Sequence, residues 1–234
     1  MVKEIFQMTQ NELFDYLLNE LNKTGYNCFA PKNKAFIAAK GTIPIVLLAH
    51  LDTVFRDETR HDMLIFHDKE NGVYWSPDGL GADDRAGVIM ILSILKKTKL
   101  RPNILFTTDE ETNATGAVSV CDLQKTLFGE VKYIIELDRQ GFRESVYYGC
   151  NNKEFEEYIN DFEFETAQGT FTDISIICPN WDVAGVNLSV GYLYEHSYIE
   201  HFYGSFWYDT YKKVIKMLEH PCQKYWKYYI KENE

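Results

Sequence analysis

The sequence predicts a three-layer α/β sandwich around a mostly parallel central sheet. Strand-like runs that are apolar throughout alternate with helical stretches, as strands covered by helices on both faces must. Acidic and imidazole residues stand just past the ends of those runs, at the edge where α/β sheets hold their ligands. No linker rich in Gly, Pro or Ser and no internal repeat interrupts the pattern, so residues 1–234 are expected to form one domain.

Thr9 is a predicted helix N-cap, and Glu12 three residues on completes a capping box. Leu13, Leu17, Leu18 and Leu21 then fall on one helical face, and Gly25 ends the segment. Past a turn at Pro31, Ala35 to Ala39 and Ile43 to Leu48 read as strands. Residues 61–75 read as a hairpin, MLIF and VYW about a turn at Asn71-Gly72. Gly81-Ala82-Asp83-Asp84 leads into a helix through about Lys99, and Pro102 opens a strand from Ile104 to Thr108. Ala114 to Val120 reads as a helix, Val131 to Leu137 and Ser145 to Gly149 as strands, and Glu154 to Ile159 as a helix. Ile174 to Ile177 and Val186 to Val190 are strand candidates, and Phe206 to Leu218 closes the chain as an amphipathic helix. The Tyr-rich tail, Tyr225 to Tyr229, is expected to pack on the fold.

Composition narrows the partners. With 35 acidic against 24 basic residues the net charge is −11, and a duplex-binding surface needs clustered Lys and Arg. Nucleic acid is therefore not an expected partner. Five scattered cysteines without a CxxC suggest reduced thiols. The amino terminus lacks a signal-peptide pattern, and no apolar run reaches the roughly 18 residues of a membrane span. The expectation is a cytoplasmic protein with no membrane partner, its oligomeric state left open.

The polar residues at the strand ends carry the chemistry. His50 and Asp52 follow one strand, Asp83 stands at the mouth of a helix, Glu110 and Glu111 follow a second strand, Asp138 a third, and His196 a later one. The intervals His50 to Asp83, Asp83 to Glu111 and Glu111 to Asp138 are 33, 28 and 27 residues. A strand-helix-strand unit takes roughly 30 residues, so this spacing returns each strand end to the same sheet edge. Each piece has an ordinary reading: a satisfied strand-end histidine, a helix cap, a solvated loop, a turn. Carboxylates placed together at consecutive strand ends would repel one another severely without a cation, which favours a metal centre. Two imidazoles and three carboxylates suit Zn2+ best, with Co2+ or Mn2+ as substitutes. Two such ions would lower the pKa of a bound water toward about 7 and polarise a carbonyl oxygen.

At this point the sequence resembles a family. HLDTV (50–54), PDGLGADDRAG (77–87), DEETNATGA (109–117), ELDRQG (136–141) and GVNLSVGYLYEHSYIE (185–200) are similar, in order, to the blocks of the co-catalytic dizinc exopeptidases. That clan includes tripeptidase T-like aminopeptidases, acyl-amino-acid deacylases, glutamate carboxypeptidases and single-domain zinc aminopeptidases. The resemblance implies the zinc-exopeptidase (phosphorylase/hydrolase-like) fold and a role for each residue. His50 and Asp138 would hold one zinc, His196 and Glu111 the other, and Asp83 would bridge them. Asp52 would orient His50, and Glu110 would act as general base. Asp84 is the alternative to Asp83 and His201 the rival to His196, with Glu200 as structural companion of His196. His61, His67 and His220 are expected on the surface, and Asp173 either reaches the cleft or caps a turn.

Two departures stand out. Asn113 replaces the glycine that follows the paired glutamates, and Asn tolerates positive φ. Only 58 residues separate Asp138 from His196, too few for the lid domain that tripeptidase T-like and deacylase relatives insert there. The resemblance thus implies the catalytic domain alone. The expected function is hydrolysis of a terminal amide bond of a peptide, most simply as an aminopeptidase, with a metal-ionised water as nucleophile. An N-acyl amino-acid deacylase or dipeptidase acting on small amides would use the same metal chemistry. A catalytically silent relative that keeps the fold for binding or scaffolding is the reading from another class.

Overall fold

The computed structural model describes residues 2–230. The first half of the chain comprises α1 (Val2–Gln7), α2 (Gln10–Lys23), β1 (Asn27–Phe29), β2 (Phe36–Lys40) and β3 (Ile43–His50). After these come β4 (Phe66–Asp68), β5 (Val73–Trp75), α3 (Ala82–Lys97), β6 (Pro102–Thr107), α4 (Thr115–Val120) and α5 (Gln124–Leu127). The second half comprises β7 (Tyr133–Arg139), β8 (Glu144–Val146), α6 (Lys153–Asn160), β9 (Glu165–Thr166), α7 (Asp173–Trp181) and β10 (Gly185–Ser189). It ends with β11 (Tyr192–Leu193), β12 (His201–Tyr203) and α8 (Gly204–Glu219).

The main sheet runs β1-β2-β6-β3-β7-β10-β8-β9. Its centre, β6-β3-β7-β10, is parallel, and its antiparallel pairings lie toward the edges. Apolar residues on successive positions of β3 serve opposite faces. Ile45, Leu47 and Ala49 pack with α2, α3 and α8, whereas Val46 and Leu48 pack with α4, α5 and α7. That division makes the three layers. Chain order along the parallel strands is β3, β6, β7, β10, so the winding direction reverses between β3 and β7. Helices diverge at such a switch point and leave a crevice beyond the strand ends, which is where His50 and Asp138 emerge.

Local signals explain most elements. Thr9 and Glu12 form the reciprocal capping box, with Thr9 N–H donating to Glu12 Oε2 at 3.0 Å. Leu13, Leu17 and Leu21 are fully buried, and Gly25 follows the helix at φ 84°. The polar turn between β4 and β5 is present, but the strands are three residues each and belong to a separate four-stranded sheet, β11-β12-β5-β4. The expected Ser145–Gly149 strand is the short β8, and it pairs antiparallel with β10.

One expected strand is a helix. Ile174 to Ile177 lies inside α7, because Ile174, Ile177, Cys178 and Trp181 follow helical spacing and are all buried against one face of the sheet. A four-residue apolar run does not distinguish the two periods; the extension to Cys178 and Trp181 does. The helix α1 and the strand β1 were not signalled by the sequence patterns used above. The aromatic tail packs as expected: Trp226 is buried among Phe155 and Tyr158, and Trp226 N–H bonds to the Lys132 carbonyl.

Gly87 shows how tightly α3 lies on the sheet. A Cβ there would stand 2.1 Å from the Leu137 carbonyl oxygen and 2.6 Å from Asp84 Oδ1. Gly to Ala within a helix ordinarily stabilises by about 1 kcal/mol. Here Gly87→Ala is expected to destabilise by about 1–3 kcal/mol, because backbone on β7 must give way. Urea unfolding reads this as a lowered midpoint at unchanged slope; a midpoint at or above that of the unsubstituted chain would show that α3 can lift off β7.

Candidate metal centre

The centre is built on a sharp bend in the first turn of α3. Asp83 and Asp84 have non-helical backbones joined by a cis peptide bond, so regular helix begins at Arg85. The two aspartates part at the bend. Asp84 is fully buried: its Oδ1 accepts Gly87 N–H at 3.0 Å and its Oδ2 accepts His50 N–H at 3.2 Å. It caps α3 and ties the helix to the end of β3. Glu200, also fully buried, accepts the N–H groups of Ala82 at 2.8 Å and Asp83 at 3.3 Å. Burial, and then the nearby Asp83 charge, push Glu200 up to about 8.

Asp83 faces the crevice, and its two oxygens look in different directions. Oδ1 is 3.0 Å from His50 Nε2, which is also 3.3 Å from Asp138 Oδ1. Oδ2 is 3.2 Å from His196 Nε2, which is also 3.0 Å from Glu111 Oε2. The five residues expected to act as ligands therefore come together from β3, the start of α3, the loop after β6, the end of β7 and the loop between β11 and β12. His50 is buried at 2% exposure, whereas the His196 side chain is half exposed, so the centre is open on the His196 side.

Asp52 lies 3.2 Å from His50 Nδ1 and accepts the backbone N–H groups of Glu110 at 3.1 Å and Glu111 at 3.0 Å. Asp109, at φ 59°, turns the chain out of β6 so that both amides reach Asp52. Asn113 does not take the left-handed conformation its side chain would tolerate; Ala114 does, at φ 47°.

The electrostatics are those of crowded carboxylates. Burial pushes Asp138 up, and the Asp83 charge adds to it; the adjacent His50 opposes both. Burial also raises Glu110, which is ringed by Asp138, Asp173 and Glu111. Asp83 is buried too, yet hydrogen bonds from His196 and His50 hold it well below the usual carboxylate range. The same contacts with Asp83 and Glu111 push His196 up to about 11. Ionised acids here draw positive charge into the space between them. Asp138 Oδ1 and Glu111 Oε1 are buried there without a hydrogen-bond donor. One donor atom each from His50, Asp84 and Asp138, and likewise from His50, Asp83 and Glu111, lies within 4.8 Å of the others in its group. A hard set of oxygens with imidazole nitrogens at such separations fits a divalent ion of the zinc type.

The remaining candidates lie elsewhere. His201 Nδ1 is 2.6 Å from the Ile199 carbonyl and its ring stacks on Trp75. His61 pairs with Glu12 at the surface, His67 stacks on Tyr74, and His220 is exposed. Asp173 is completely buried at the first position of α7, hydrogen-bonded by the Thr107 hydroxyl, and burial raises it to about 6. Sequence reasoning passed over Glu136, Thr172 and Asn187, all about as buried as His50 and gathered behind Asp138. The signal for Glu136 was an acid inside a strand apolar on both faces; Thr172 and Asn187 offered none.

A family model described as peptidase family M20/M25/M40 matches residues 46–215. No curated protein sequence matches the chain. Among solved structures, the aminopeptidase PepT of Bacillus cereus is 15% identical, with a TM-score of 0.74 over 93% of this chain and 96% of that one. A tripeptidase of Staphylococcus aureus is 13% identical, with a TM-score of 0.74 over 94% and 96%. An aminopeptidase of the archaeon Desulfurococcus kamchatkensis is 13% identical, with a TM-score of 0.63 over 93% of each chain. At these identities the likeness is one of fold, the zinc-exopeptidase sandwich. The family match does more, because it spans the stretch from β3 into α8 that supplies every group gathered at the crevice, and it makes this chain a metallopeptidase of family M20/M25/M40.

Proposed function

We propose that this chain is a dizinc aminopeptidase whose residues 1–234 work as one catalytic domain. His50 and Asp138 would hold one Zn2+, His196 and Glu111 the other, and Asp83 would bridge them, with Co2+ or Mn2+ as substitutes. The observation that carries this reading is the Asp83 carboxylate, whose two oxygens face two separate imidazole–carboxylate pairs. Bound there, the ions would supply Lewis acidity, lowering the pKa of a water toward about 7 and polarising the scissile carbonyl.

The chain's own residues do the rest. Glu110, held at its amide by Asp52, takes the proton of the attacking water and returns it to the leaving amine. Asp52 accepts from His50 Nδ1, which fixes the tautomer and leaves Nε2 facing the centre. Asp84 and Glu200 secure the bend that aims Asp83. A carboxylate-lined crevice in a chain of net charge −11 attracts the cationic α-amino group of a peptide, and the aminopeptidase neighbours favour the same class. Five free cysteines suit a reducing, cytoplasmic setting. Among the described residues no helix is long and apolar enough to cross a membrane.

Glu110→Gln is expected to lower kcat by about 10²–10⁴-fold. Metal content, read by atomic absorption, should stay at about two ions per chain. Turnover surviving that change would remove Glu110 from the role of base. Treatment with a chelator is expected to abolish hydrolysis of aminoacyl-nitroanilides, and added Zn2+ to restore it. Faster cleavage of N-acyl amino acids than of aminoacyl-nitroanilides would instead make the chain a deacylase.

A further inference from the structure

The two oxygens of Asp138 live in different surroundings. Oδ2 accepts from the Thr172 hydroxyl at 3.0 Å and from Asn187 Nδ2 at 3.2 Å. Oδ1 has no hydrogen-bond donor and lies 3.3 Å from His50 Nε2, on the side of the centre. Asn187 also takes hold of the same residue by its main chain, its Oδ1 accepting Asp138 N–H at 2.9 Å. One amide thus grips both the backbone and the carboxylate of Asp138. The second hydrogen of Nδ2 points to the Tyr148 hydroxyl at 3.3 Å, which keeps the amide from turning over.

We infer that Asn187 and Thr172 are positioning residues that hold Asp138 so that it binds metal through Oδ1 alone. Both are 1% exposed, so water cannot replace their hydrogen bonds. They come from two different elements, Asn187 from the middle of β10 in register with Glu136 and Thr172 from the N-cap of α7. A carboxylate gripped from two directions cannot swing to offer both oxygens to one ion. Such a swing would draw the ion away from His50 and Asp83 toward the sheet. With Oδ2 occupied by neutral donors, the charge of Asp138 is steadied without a competing cation, and its free oxygen stays beside His50 Nε2. Groups that orient a ligand in this way commonly contribute about 10–100-fold to metal affinity.

This inference rests on the dizinc reading above, and one experiment separates the two. The chain is stripped with a chelator and titrated with Zn2+ by calorimetry, alongside circular dichroism of each metal-free variant. The unsubstituted chain is expected to take up two ions. Thr172→Val and Asn187→Ala are each expected to weaken one binding event by about 10–100-fold and to leave the other within about threefold. Thr172→Ser, which keeps the hydroxyl, is expected to restore the lost affinity. Unchanged affinities in a folded Thr172→Val chain would overturn the clamp, and so would equal weakening of both events that Ser does not rescue. If Asn187→Ala does not fold, the Thr172→Val and Thr172→Ser pair decides alone. No uptake of Zn2+ by the unsubstituted chain would overturn the dizinc reading itself and the clamp with it.

Discussion

Repulsion among buried carboxylates is the constraint to which the rest of this structure answers. Asp83, Asp138, Glu111, Glu110 and Asp52 crowd one edge of the sheet, with Glu136 and Asp173 buried just behind. Like charges this close cannot all remain ionised in a desolvated space without positive partners. Burial raises Glu110, Glu136, Asp138 and Asp173, while the imidazoles lower Asp83 and Asp52. Asp138 stays raised although it lies 3.3 Å from His50, because burial and the Asp83 charge outweigh the imidazole. Positive charge is therefore wanted beside Asp138, where the imidazole alone does not suffice.

Acids of a second kind are neutralised by the fold itself. Asp84 and Glu200 spend their oxygens on backbone N–H groups, and each has a buried arginine nearby. Arg60 donates to the carbonyls of Phe6, Gly79 and Leu80, and burial pulls its pKa down to about 10 against the opposing charges of Glu200 and Asp57. Arg85 follows Asp84 directly and reaches the carbonyl of Ile5. The amino-terminal helix α1, already anchored in the core by Ile5 and Phe6, therefore supplies acceptors for two guanidinium groups under the bend. These acids shape the backbone, with their oxygens engaged by main-chain N–H groups.

The legible part of this protein was whatever repeats along the chain. The central strands β3, β6 and β7 announced themselves by apolar runs, and their spacing alone places His50, Asp83, Glu111 and Asp138 at one edge. Two-residue and three-residue strands such as β11 and β12 were not legible, because pairing across the chain makes them and their own residues do not. The strand expected at Ile174 to Ile177 failed for a related reason: its period is settled by Cys178 and by Trp181, the latter beyond Pro179, a residue that reads as a breaker. At the centre, side chains that meet the crevice were marked by their acidity, whereas Thr172 and Asn187 act through neutral hydrogen bonds that no composition reveals.

The switch point explains why so few elements suffice. Between Asp138 and His196 the chain builds β8, α6, β9, α7, β10 and β11; all but β11 belong to the main sheet or pack on it, and β11 joins the small second sheet with Tyr192 in the main core. None of these described elements forms a separate lid. The short run from β10 through β11 must then carry His196 back over the crevice, and it does so with Gly191 at φ 85°, Tyr194 at φ 62° and His196 at φ 60°. A Cβ on Gly191 would come within 2.5 Å of the Trp207 backbone nitrogen at the start of α8, so the turn can pass only with glycine there. The half-exposed imidazole on the open side of the centre is thus held by backbone geometry close to α8, while its counterpart His50 is held by burial at the end of β3. One wall of the crevice is rigid because it is core, and the other because its turns admit few alternatives.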